Sequence, residues 1–260
     1  MNKKVVDYYT EIFSENERHE DGFGQIQRQR TLNIFKQYLQ GNPLKIIDIG
    51  GATGAYSFDL ARAGHNVHLL DIVPAHIEKA ERIGLDKGIL LDGYHVGDAK
   101  DLEFEDNSFD AVILHGPLYH ITGLVERKKV LNEALRILKS NGVLFGFAIN
   151  RYAGVFYGIH SELILDDTYF EMVKTEVETG FRTRNPTWHF HLPEELEAEI
   201  TSSGFKIEAT KGVVSPVWML PDIESKIADA EMHEKILRVC ELLENEPKIG
   251  QDFVCIGRKQ

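Results

Sequence analysis

Between residues 44 and 149, short apolar, β-branched runs alternate with stretches whose apolar positions recur every three to four residues. The runs predict strands over 44–49, 66–71, 90–96, 109–114 and 143–149. The intervening periodicity predicts helices over 55–63, from Pro74 onward and over 125–138. The last of these buries Val130, Leu131, Ala134, Leu135 and Leu138. Gly64 supplies a left-handed stop for the first helix, and Pro74 opens the second where its missing N–H costs little. Near-continuous apolar strands separated by helices imply a parallel sheet covered on both faces.

The flanks read differently. Residues 5–13 form a short aromatic helix with Tyr8, Tyr9 and Phe13, followed by a loop at Asp21-Gly22-Phe23-Gly24. Residues 25–39 then place Ile34, Phe35, Tyr38 and Leu39 at helical spacing, until Gly41-Asn42-Pro43 stops the helix. The alternation pauses between Asn150 and Leu192. This aromatic insert is too long for a simple connection and follows a strand's carboxyl end, where open α/β sheets bind ligands. It is expected to cap a pocket. Order resumes with a helix over 193–203, a strand over 205–214, a helix carrying Ile236, Leu237, Cys240 and Leu243, and a final strand over 252–257. The expected division is a helical cap over residues 1–43 and a main domain over 44–260, with 150–192 as a cap insert.

A chain of 260 residues that is 43% hydrophobic suits one α/β domain with insertions. A formal net charge of −12 gives no field attracting long nucleic acid or anionic membrane. Cys240 and Cys255 form no CxxC pair and read as reduced core thiols. No apolar run reaches membrane-spanning length, and the first residues become polar too early for a signal peptide. A cytoplasmic protein is expected.

The chemistry concentrates where the first strand breaks into Asp48-Ile49-Gly50-Gly51-Ala52-Thr53-Gly54 and a helix begins. Small loop residues let a ligand approach the backbone, and the helix start offers unpaired N–H groups to an anion. The dinucleotide fingerprint G-x-G-x-x-G fails at two of its three glycines, because Ala52 and Ala55 stand there. Asp48 beside the loop would repel a pyrophosphate and would suit a ligand bearing an ammonium or sulfonium.

This loop resembles motif I of class I S-adenosylmethionine-dependent methyltransferases, departing from it at Ala52, where a glycine usually stands. The resemblance continues through Asp71, Gly97-Asp98-Ala99, the segment from Asn107 to His120, and the turn Leu138-Lys139-Ser140-Asn141-Gly142, covering residues 45–149 in order. It implies a three-layer α/β sandwich, a seven-stranded mostly parallel sheet with its last strand antiparallel, and methyl transfer from S-adenosylmethionine. It further implies a cofactor site of Asp48, Gly50, Gly51, Thr53, Gly54, Asp71, Ile72, Asp98, Ala99 and His115. In it Asp71 grips both ribose hydroxyls and Asp98 contacts the adenine amino group.

Methyl transfer needs alignment and exclusion of water more than activation, with a base for an O–H or N–H acceptor. Tyr119 and His120, on the loop after the fourth strand, are the catalytic candidates. Tyr9, Arg30, Tyr119, His120, Arg151, Tyr152 and His189 are the substrate-binding candidates. His189 and His191 share one face of an extended segment and read as a solvent-facing pair. Their spacing matches no zinc motif, so no metal is expected. The loop His115-Gly116-Pro117-Leu118-Tyr119 lacks the Pro-Pro-aromatic signature of amino-methylating DNA enzymes, so DNA is not expected as a partner. The reading is methylation of a small-molecule acceptor at O, N or C. RNA-base methylation on the same fold and a non-catalytic cofactor-binding sensor stay open.

Overall fold

The computed structural model describes residues 22–41, 43–182 and 188–260. The expected helix over 5–13, with Tyr8 and Tyr9, lies outside them, as does Arg184 of the insert. The first described helix, α1 (Gly22–Tyr38), starts three residues before the expected position. Gly22 and Gly24 belong to the helix and not to a loop. A Cβ on Gly22 would fall 1.6 Å from the Glu224 carboxylate, so this glycine serves close approach of a neighbouring segment.

Strands β1 (Lys45–Ile49), β2 (Asn66–Asp71), β3 (Gly93–Val96), β4 (Phe109–Leu114) and β5 (Leu138–Asn150) pair in parallel in the order β3-β2-β1-β4-β5. Helices α2 (Ala55–Arg62), α3 (Pro74–Lys87), the single turn α4 (Pro117–His120) and α5 (Leu124–Ile137) connect them. Strand β5 starts earlier than its apolar run because residues 138–142 join it through a bulge opposite Phe109 and Ala111. Asn141 takes the left-handed conformation there, at φ +64°.

The insert folds as α6 (Ala153–His160), α7 (Asp167–Thr179) and a hairpin of β6 (Phe181–Arg182) and β7 (Trp188–His191). After it come α8 (Pro193–Ser202), β8 (Phe205–Val214), α9 (Ile223–Ala228), α10 (Ala230–Leu242) and β9 (Asp252–Lys259). Strand β9 runs antiparallel to both β5 and β8, which gives the expected seven-stranded sheet with an antiparallel last strand. The β6–β7 hairpin raises the described sheet to nine strands. β7 pairs with β5 only at Ile149 and Asn150, past Gly146, the β5 residue opposite Leu114 at the end of β4.

Alternation along the strands sorts the core into two layers. Ile46, Val67, Leu69, Ala111, Ile113, Phe145 and Phe147 face α1, with Ile34 and Phe35 packed on them. Ile47, Ile49, Val112, Leu114, Leu144 and Phe253 face α5 and α8. No helix among the described residues is long and apolar enough to cross a membrane.

Candidate active site

The carboxyl ends of β1, β2 and β4 border a cleft whose floor is the Gly50–Thr53 loop. Three backbone features shape it. Gly50 lies at φ +77° and Gly54 at φ +83°, and Ala52 also takes positive φ, +49°. A Cβ on Gly50 would come within 2.7 Å of Pro117 Cδ and 3.1 Å of the His115 carbonyl, so the loop and α4 meet at glycine distance. Gly54 precedes α2, whose first amides have no acceptor inside the helix and open toward the cleft.

Asp71 is the polar centre of the cleft. Its Oδ2 accepts the Ala52 amide at 2.9 Å, its Oδ1 accepts the Val73 amide at 2.9 Å, and His76 Nδ1 stands 3.2 Å from Oδ1. A carboxylate has about four acceptor sites, so these contacts fix its orientation and leave capacity on Oδ2. Ile72, Asp98 and Ala99 line the same cleft, as do Gly50, Gly51, Thr53 and His115. The structure therefore brings together eight of the ten expected cofactor residues.

Asp48 and Gly54 do not line the cleft. Asp48 is sealed under the loop, its Oδ2 accepting Ser57 Oγ at 2.7 Å, with a Cβ on Gly51 only 2.5 Å from that oxygen. Burial pushes its pKa up to about 6 against the lowering effect of the Ser57 hydrogen bond. Among the described residues its Oδ1 meets no hydrogen-bond donor. Gly54 acts through the backbone turn into α2. His76 is a polar cleft residue that sequence reading missed, as is Tyr56. The signal for His76 was its place in the first turn after Pro74, which folds it back toward the end of β2.

A second, larger cavity of about 890 Å³ lies against α1, β5, the insert and the β8–α9 connection. Its walls carry the aromatic side chains of Phe23, Phe147, Tyr157, Tyr169, Phe190, Trp188 and Trp218, with Gln27, Asp166, Arg182 and Asp252 among the polar ones. Trp218 stacks with Tyr157 at 6.3 Å and 19°, joining the connector to the insert. Arg182 on this wall is ion-paired with the fully buried Glu176. Among the lining residues, His115 and Tyr119 are common to both cavities. His115 is sandwiched between Phe147, at 4.3 Å and 11°, and Tyr56, at 5.2 Å and 24°. This three-ring stack runs from the cleft to the chamber.

The expected substrate residues separate. Tyr119 stands at the junction, and His120 lines the cleft, edge-on to Trp188 at 5.7 Å. Arg30 does not reach either cavity. Its side chain is fully buried, bonded to Glu241 at 3.2 Å and Glu244 at 2.8 Å. Arg151 is a structural tie, donating to the Phe190 carbonyl and paired with Glu195. Tyr152 precedes α6, its amide on Asn150 Oδ1 at 3.0 Å, and lines neither cavity. Tyr9 lies outside the described residues. The pair expected to face solvent, His189 and His191, is buried instead, because β7 packs against α4 and β5 and His191 meets Glu199 of α8 at 3.6 Å. Burial, followed by the charges of His191 and Arg127, lowers the His189 pKa to about 3. With Glu199 the two histidines bring ligand-type atoms within 4.8 Å of one another. Arg127 already donates to both Glu199 oxygens, at 2.9 and 2.6 Å.

Residues 47–146 match the family model of a methyltransferase domain. Over 100 residues the chain is 35% identical to a ubiquinone/menaquinone biosynthesis C-methyltransferase of Zymomonas mobilis, a match covering 38% of this chain and 40% of that protein. Over 188 residues it is 25% identical to a ubiquinone biosynthesis O-methyltransferase of Xanthomonas axonopodis, covering 72% and 73% of the two chains. Among solved structures, a SAM-dependent methyltransferase of Methanosarcina mazei superposes with a TM-score of 0.60 at 22% identity, over 87% of this chain and 96% of that one.

Proposed function

From a chain that carries a class I S-adenosylmethionine-dependent methyltransferase domain, with S-adenosylmethionine as its cofactor, we propose methylation at O, N or C of a small molecule with a bulky apolar or aromatic body. The observation that carries this reading is the meeting of cleft and chamber at His115 and Tyr119. Transfer requires donor and acceptor in line across one narrow junction, shielded from water.

The cofactor fits the cleft by donor chemistry. The amides that open α2 suit a carboxylate, Asp71 with His76 suits ribose hydroxyls, and Ile72 with Ala99 offers an apolar slot bordered by Asp98. When bound, the cofactor supplies an already activated methyl group. The protein's own contribution is then alignment. Tyr119 and His120 face the junction as the groups that orient an acceptor or take its proton. The aromatic walls hold the acceptor's apolar body, with residues 150–192 and the start of α1 as the cap. A chamber of this size, lined by these aromatic rings, suits a small molecule better than a nucleic-acid strand. The two relatives are named for ubiquinone biosynthesis, which supports an acceptor with an aromatic ring.

Calorimetric titration with S-adenosylmethionine, followed by a screen of a metabolite extract with labelled cofactor, tests the reading. Cofactor binding and a labelled small-molecule product are expected. Binding of NAD(P) in place of S-adenosylmethionine, or label appearing only in RNA, would overturn it. Tight cofactor binding with no transfer to any acceptor would favour a sensor.

A further inference from the structure

The two walls of the junction come from distant parts of the chain. One is α4, with Tyr119 and His120. The other is β7, with Trp188 and Phe190. Arg127, near the start of α5, is 3% exposed and reaches between them. Its Nη1 donates to the carbonyls of Ile121 at 3.0 Å and Thr122 at 2.8 Å, the residues that follow α4. Its Nε and Nη2 donate to Glu199 Oε2 and Oε1 at 2.9 and 2.6 Å. Glu199 lies on α8, directly after β7, and its Oε1 is 3.6 Å from His191 Nε2. Guanidinium geometry makes this span: a planar fork serves a carboxylate with one edge and two carbonyls with another nitrogen. A lysine would serve either end and not both.

Resting on the proposed methyl transfer, we propose that Arg127 and Glu199 are a positioning pair that sets the gap between the α4 wall and the β7 wall. They touch neither cavity and act through Tyr119, His120 and Trp188. The pair closes the wall on which an acceptor rests; the cofactor cleft shares α4 as one side, while its β1 and β2 side is held by Asp71 and the Gly50–Thr53 loop.

Two variants test this. Arg127→Lys keeps a cation for Glu199 and loses the carbonyl contacts. Arg127→Met with Glu199→Leu removes both charges, so that neither is left buried alone. In both, the S-adenosylhomocysteine Kd read by calorimetry should rise by about threefold or less, well short of the loss in transfer. Transfer of labelled methyl to the metabolite-extract acceptors at saturating cofactor should fall by about tenfold or more. Hydrogen exchange at the amides of Tyr119, His120 and Ile121 should accelerate by about tenfold, with the amides of β1 and β4 unchanged. Unchanged transfer and exchange in the folded double variant would overturn the proposal. So would a loss of cofactor affinity parallel to the loss of rate, which marks general destabilisation. If the unaltered enzyme transfers no methyl, the proposed function fails. The exchange measurement still decides whether the pair holds the wall.

Discussion

A carboxylate buried from solvent and given one hydroxyl donor is costly to ionise, and Asp48 is in that position. Its pKa rises from 3.8 to about 6, so between these values the folded protein holds a proton that the unfolded chain has released. Its contribution to stability therefore falls as pH rises from about 4 to about 6, by roughly 3 kcal/mol in all. Asp48→Asn removes that slope. Denaturation at pH 4 and at pH 7 should show the variant gaining roughly 2–3 kcal/mol on the unaltered protein at the higher pH. An equal difference at both would mean that Asp48 is solvated. Asp71 makes the opposite demand, since it must stay available as an acceptor. Asp71→Asn should weaken S-adenosylmethionine binding by roughly 1.5–3 kcal/mol, read by calorimetry, and an unchanged affinity would misplace the ribose. At this scale the sequence was legible where function depends on neighbours in the chain. The glycine loop came from local spacing, Asp71 and Asp98 from the resemblance that the loop opens, and all three line one cleft. Arg30 was not, because a helical arginine looks solvated until Glu241 and Glu244, 211 and 214 positions away, are seen to bury it.

Among the elements, the loop between β1 and α2 carries the strictest backbone demands. Gly50→Ala meets both a positive φ and the Pro117 ring, so it should destabilise the fold by about 1–3 kcal/mol and push α4 away from the loop. Thermal melting with and without S-adenosylhomocysteine reads both effects, and a fully stable variant that binds normally would contradict the contact. Ala52 presents the reverse case. It departs from the motif yet holds φ +49°, with its amide on Asp71. Ala52→Gly should relieve about 1 kcal/mol of left-handed strain and leave cofactor affinity near its starting value. A fall in stability would show that the loop tolerates alanine without strain. The sheet strands were legible because each is a buried apolar run. The β6–β7 hairpin was not, because its strands are short and polar residues alternate through Trp188-His189-Phe190-His191. Burial of both histidines depends on packing by α8, which no local pattern announces.

Across the whole molecule, the acceptor chamber was the least legible part. Its walls come from α1, β5, the insert and the β8–α9 connection, and Phe147 and Trp218 became site residues only on folding. The chamber and the cleft should respond separately to mutation. Trp218→Ala removes the stack on Tyr157, worth about 0.5–1.5 kcal/mol, and should raise the acceptor KM by about three- to tenfold with cofactor Kd unchanged. A change in cofactor affinity instead would show that the two cavities are coupled beyond His115 and Tyr119. The pairing of β7 with β5 has a further consequence. The hairpin is bonded to the sheet only at Ile149 and Asn150, where β5 has outrun β4. Residues could be added to, removed from or exchanged in this segment while the parallel sheet keeps its register. Acceptor preference and methyl-donor chemistry would then be separable traits, with new specificities arising through the insert at little risk to the sheet.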